Sequence, residues 1–255
     1  MTILKKSCIS LFLFLNLSFI AITSEGKNDE FEQAKQHLKD GIRTYDEELL
    51  QDAKEVFIQL ANKNPSDYVY PYYAALTYLS LCDLKNFEMV KSSIRAKKKA
   101  LKKERIALAG EGIVYVDKSI KLNDNYSESH RVKGALISNR ISGMISGIHY
   151  GNMAEDEINI ALKIEPNNAL AKIEVAREYI NKPGLLGGNV KKGIEILEKI
   201  LKDNPEIEKG YVSLGIAYKE IGEKEKAMNT FKRVLEINPD NLEAKFFLDQ
   251  LMLLQ

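Results

Sequence analysis

His37, His130, His149, two cysteines and one dense lysine run are the residues best suited to chemistry by type. A metal site or an acid–base pair needs such groups at close spacing. The three histidines are scattered, with no second His or carboxylate at metal-ligand spacing. The chain also lacks HExxH, GxSxG, a phosphate loop and a dinucleotide fingerprint. No catalysis is expected, no cofactor is implied and no metal site is assigned. Cys82 lies in the apolar stretch TYLSLCDL and reads as a small buried hydrophobe, while His37 and His130 read as packing or partly exposed residues.

Two other stretches are chemically distinctive. RAKKKALKKER, residues 95 to 105, holds seven basic residues and one acid. Such a run suits anionic lipid headgroups, nucleic acid or an acidic protein. Ala and Leu interleave the charges and no aromatic residue accompanies them, so a solvated helix face is the favoured reading and no nucleic-acid partner is expected. DYVYPYYAALTY, residues 67 to 78, gathers five tyrosines at the start of a predicted helix, with Pro71 acceptable in its first turn. Tyrosine combines an apolar ring with a polar hydroxyl, so Tyr72 is a candidate partner anchor.

The elements that must position these residues follow an export signal. Lys5 and Lys6 precede the apolar run CISLFLFLNLSFIAIT, and AITSEG offers small residues for cleavage, so residues 1–24 read as a signal peptide and 25–255 as the mature domain. A periplasmic location is expected; an uncleaved N-terminal anchor or full secretion are the alternatives. Without Lys5 and Lys6 the remaining chain has 35 basic and 36 acidic residues, which gives no global bias toward polyanions. Cys8 leaves with the signal, so no internal disulfide can form and packing alone must supply stability.

A repeat runs through the mature region. The anchors NKNPSD, IKLNDN, KIEPNN, KDNPEI and EINPDN each follow, by twelve residues, one of Ala53, Gly112, Ala154, Gly193 and Ala227. Gly41, Ala75, Gly134, Ala176 and Gly215 fill a second small-residue slot. Small residues at two fixed positions let paired helices A and B approach closely, and the Pro, Asn or Asp after helix B ends it. Pro205 to Pro239 spans 34 residues, and Tyr211, Leu214, Gly215 and Tyr218 share one helix face in that unit. The pattern closely resembles the tetratricopeptide repeat (TPR).

That resemblance implies an all-α right-handed solenoid with units near 33–66, 67–125, 126–167, 168–206 and 207–240, closed by a capping helix over 241–255. It also implies a protein or peptide partner in a concave groove. Carried onto this chain, the family's groove positions are Tyr72, Leu76, Arg131, Asn139, Arg177, Asn181 and Lys219. The three cations and two amides suit acidic or backbone groups of an extended segment. The Lys/Asn clamp for a terminal carboxylate is not reproduced, because Ala135, Ile173, Val212 and Ile216 occupy its slots. An envelope-associated complex fits this reading, and the oligomeric state is open.

The middle units exceed 34 residues by 25, 8 and 5, and constant anchor distances place each excess between helix A and helix B. Such turns share one edge of a solenoid. In the fourth unit the insertion is NKPGLLGGN, residues 181 to 189. Pro183 stops helix A, Gly187 and Gly188 are expected at positive φ, and Asn189 caps the next helix. Leu185 and Leu186 are expected to tuck against a neighbouring insertion. The string resembles the Pro, three residues, Gly-Gly, Asp or Asn signature of exported bacterial TPR proteins and, distantly, the T components of tripartite periplasmic transporters. That likeness implies a second function, a small-molecule accessory with an apolar cavity beneath Leu185 and Leu186. Gly143, Gly147 and Gly151 recur every four residues and predict a smooth stripe against the second unit's insertion.

Overall fold

The computed structural model describes residues 29–253, so the expected signal over 1–24 lies outside the described residues. All regular structure among the described residues is helical, and the helices pair as A–B hairpins stacked into an all-α solenoid. Helix α1 covers 29–44 and pairs with α2 (Glu47–Lys63). Then follow α3 (Val69–Lys91) with α4 (Arg95–Leu122), α5 (Ser127–Ser138) with α6 (Met144–Ile164), α7 (Ala169–Asn181) with α8 (Val190–Asp203) and α9 (Glu208–Glu220) with α10 (Lys224–Ile237). A final α11 (Leu242–Leu253) covers the open end of the stack, burying Ala244, Phe247 and Leu251.

Local chemistry explains the boundaries. The B helices α2, α8 and α10 stop at Asn64, Asn204 and Asn238, each followed directly by Pro65, Pro205 or Pro239, which cannot continue a helix. Asp46, Asn168 and Asn189 accept hydrogen bonds from first-turn amides of α2, α7 and α8. The small residues sit where A meets B: a Cβ on Gly215 would lie 2.7 Å from Phe231 Cε1. Substituting such a position forces the paired helices apart.

The excess residues fall between A and B, but they do so by different means. In the second unit they lengthen both helices, to 23 and 28 residues in α3 and α4 against 13 in α7 and α9. Lys85, nearly buried, binds Glu47 at 2.8 Å and Glu104 at 3.2 Å and so ties α2, α3 and α4 together. In the third unit the excess extends α6 to 21 residues, and in the fourth it forms a short 3-10 turn over Gly184–Leu186. Neighbouring insertions do meet: Arg105 donates to the Ile141 carbonyl at 2.8 Å, and Lys182 reaches Glu155 at 3.5 Å.

Three expectations at this edge are corrected. Leu185 is 100% exposed and so does not tuck against a neighbour, while Leu186 is 37% exposed. The loop is held instead by its backbone, through Asn189 N–H to the Tyr179 carbonyl at 2.7 Å and Gly188 N–H to the Pro183 carbonyl at 3.1 Å. A Cβ at Gly143 or Gly151 would meet nothing within 4 Å, and at Gly147 only Ile141 at 3.8 Å, so no described helix packs on that stripe. Of the two loop glycines only Gly187 has positive φ, at 93°. Gly188 is needed for space, because a Cβ there would stand 1.6 Å from the Lys182 carbonyl oxygen.

The solenoid closes on itself. Arg43, in the first unit, binds Asp240 at 2.9 Å, and Asn238 donates to the Arg43 carbonyl at 3.2 Å. The Tyr45 hydroxyl donates to Glu243 at 2.8 Å, and Phe87 meets Phe246 edge to face at 5.9 Å. Tyr45 adopts φ 56°, a left-handed conformation that costs an aromatic residue free energy unless its surroundings hold it there. Phe87, 5.0 Å away, and Glu243 supply that hold.

Candidate functional site

Closure converts the concave face into a lumen of about 510 Å³, open to solvent at its rim. The A helices line it because their small-residue faces are used against the B helices, leaving the opposite face to point inward. Helix α3 contributes Tyr72, Leu76 and Ser80, α7 contributes Ile180 and Asn181, and α9 contributes Val212 and Ser213. Gly41, Ile42 and Tyr45 of the first unit complete one wall, and Asn241 and Glu243 the seam.

Of the sequence-derived groove residues, Tyr72, Leu76, Arg131, Arg177 and Asn181 come together here. Asn139 and Lys219 do not line the lumen. Asn139 is buried, accepting from Asn86 at 2.9 Å and donating to the Ala135 carbonyl at 3.0 Å. Lys219 lies over the Phe247 ring, 5.3 Å from its centroid. Leu185 and Leu186 do not line the lumen, which is formed by the A helices.

The lumen cations are already paired. Arg131, 3% exposed, donates from Nε and Nη2 to Glu128 at 2.9 and 2.8 Å. Glu128 also accepts from Asn168 at 2.8 Å and from the Tyr72 hydroxyl at 3.4 Å. Glu174 sits between Arg177 and Lys209, each at 3.2 Å, and Lys209 continues to Asp83 at 3.4 Å. Burial raises the Glu174 carboxyl, but Lys209, Arg177 and Arg131 together outweigh it and hold the group at about 2. Burial also raises Glu128, and Arg131 more than reverses that, leaving it below the usual carboxylate range. At the seam the balance is opposite: burial pushes Glu243 up, only partly offset by the Tyr45 hydroxyl.

The net character of the lumen is therefore acidic rather than basic. Asp83, Glu128, Glu208 and Glu243 line it against Arg131, Arg177 and Lys209, with Glu174 directly behind. The expected use of the cations on an acidic segment is corrected accordingly: their charge is spent on wall carboxylates, and Arg131 is a wall-building residue. Sequence reading missed Glu128, Glu174, Lys209 and the seam pair Tyr45 and Glu243. The first two had a signal, since both precede their arginine by three residues, one helical turn.

Among the described residues no group of three or more His, Cys, Asp or Glu could hold a metal ion. His130 donates or accepts at both ring nitrogens, with Glu157 at 2.8 Å and the Asp124 carbonyl at 3.0 Å. Cys82 is fully buried, and burial pushes its thiol up, which makes it inert.

Comparison with known proteins agrees with this architecture. Residues 208–241 match the tetratricopeptide repeat family model. No curated protein matches the sequence. Among solved structures, a thermophilic TPR protein from Thermus thermophilus is similar at 17% identity and TM-score 0.63, over 86% of this chain and 99% of that one. The human IFIT1 dimer with PPP-AAAA is similar at 17% identity and TM-score 0.62, over 89% of this chain and 46% of that one. At these identities the likeness concerns the fold: an all-α TPR solenoid.

Proposed function

We propose that this chain is an exported, periplasmic scaffold that acts by binding, its lumen receiving a short segment of a protein or peptide. The observation that carries the reading is the concave space between the A helices, open at its rim. About 510 Å³ lies within the range of pockets that bury a ligand. Apolar wall residues such as Leu76, Ile180 and Val212 would cover aliphatic groups, while Asn181, Ser80 and Ser213 offer hydrogen bonds to a backbone. The surplus of carboxylates favours a segment that carries an amine or guanidinium and disfavours a terminal carboxylate or a polyphosphate.

The volume also supports a second reading, a small-molecule accessory of a periplasmic transporter. Affinity co-purification from the native envelope separates the two when wild type is compared with a Ser80→Phe, Ser213→Trp variant that fills the lumen. A macromolecular partner retained by wild type and lost by the folded variant supports the scaffold. The same partner retained by both places its site elsewhere and overturns the lumen assignment. A small molecule on wild type in native mass spectrometry, absent from the variant, with no protein partner, moves the accessory reading ahead.

A further inference from the structure

The A–B turns of units two to four form one edge, and its composition differs from the rest of the molecule. Residues 88–105, 139–153 and 182–192 together hold twelve Lys and Arg against two acidic residues, in a chain whose net charge is +1. The same three stretches expose large aliphatic side chains at their tips. Leu185 is 100% exposed, Ile145 88%, Met144 75% and Ile94 62%, with Val90 and Ile148 about half-exposed. Single exposed aliphatics are ordinary, but this density on one edge is not.

These segments are structurally joined. Lys102 donates to the Ser142 carbonyl and Arg105 to that of Ile141, fixing the α3–α4 tip beside the third unit's turn. Lys182 and Glu155 join the third unit to the fourth. At the tip, every residue from 93 to 100 is exposed, and Lys97, Lys98, Lys99 and Lys103 have no partner among the described residues. That is the reverse of the lumen, where every cation is neutralised. Open space around Gly143, Gly151, Gly184 and Gly187 leaves the backbone at these turns unobstructed.

We infer that this edge docks on an anionic lipid bilayer, as a peripheral contact independent of the lumen. Lysines without carboxylate partners suit phosphate headgroups, at about 1 kcal/mol per charge near the surface. Isolated Ile, Met and Leu tips suit the boundary between headgroup and acyl chain, where aliphatic area leaves water. A polynucleotide would use the lysines but gain nothing from the aliphatic tips. Among the described residues no helix is long and apolar enough to cross a membrane, which fits a surface contact.

The chain contains no tryptophan, so one placed by substitution reports its own surroundings. Full-length variants Ile145→Trp and Leu185→Trp, with Leu122→Trp at the opposite edge as reference, are mixed with two vesicle types. One is phosphatidylcholine alone; the other is equal parts phosphatidylcholine and phosphatidylglycerol. The expected result is a blue shift and quenching by brominated acyl chains at 145 and 185 on the anionic vesicles alone, with none at 122. Adding Lys97→Glu, Lys98→Glu and Lys99→Glu is expected to lower that partitioning by roughly a hundredfold or more, with the fold checked by circular dichroism. Equal signals at 122 and 185, or no signal at 145 and 185, overturn the assignment. So does a chain that retains a polynucleotide or an acidic protein through the same lysines without entering the vesicles.

Discussion

At the scale of single residues, the site depends on buried charges that satisfy one another. Glu174 faces Arg131, Arg177 and Lys209 with little solvent, and removing its charge would leave three cations under-compensated. Glu174→Gln is expected to cost about 3–5 kcal/mol in a chemical-denaturation experiment near neutral pH. The sign of the pH dependence follows from its depressed value. Glu174 binds a proton less readily folded, at about 2, than unfolded, near 4.5. Its contribution is complete above 4.5 and is lost as pH falls from there through about 2. Stability measured between those values should therefore fall more steeply in wild type than in Glu174→Gln. The pairs Glu128–Arg131 and Glu174–Arg177 were legible in sequence as neighbours one turn apart. The bridges from Lys209 to Glu174 and Asp83 join separate helices and leave no local trace.

At the scale of elements, the repeat was readable because it depends on local rules. Pro65, Pro205 and Pro239 end helices, and Gly41, Gly134 and Gly215 allow close approach, wherever the unit sits. The insertions were placed correctly between A and B, but their internal structure was not, because periodicity does not say which apolar residues find a neighbour. Leu185 had composition on its side and no partner in space. The glycines separate these cases experimentally. Gly151, inside α6 with open space at its Cβ, should gain about 0.5–1 kcal/mol on Gly151→Ala. A stripe packed against another helix would instead lose stability. In the fourth unit, Gly188→Ala should lower the melting temperature clearly because its Cβ would overlap the Lys182 carbonyl, whereas Gly184→Ala should change it little. Equal effects at the two positions would contradict the described turn.

At the scale of the whole molecule, function rests on closure. Nothing in the sequence announces that Arg43 meets Asp240 or Tyr45 meets Glu243, since the partners are 197 and 198 residues apart. Superhelical curvature, accumulated unit by unit, decides whether they meet, and no single unit encodes it. Closure determines the lumen volume and the acidic balance on which the proposed partner chemistry depends. The most direct test is a distance across the seam. Spin labels on the exposed positions Lys39→Cys and Lys245→Cys, which flank the seam and leave Arg43, Tyr45, Asp240 and Glu243 in place, in a chain with Cys8→Ser and the buried Cys82 kept, report it by pulsed electron paramagnetic resonance. A single narrow population at short distance is predicted for the closed lumen. A broad or long distribution would mean an open solenoid and would contradict the enclosed site.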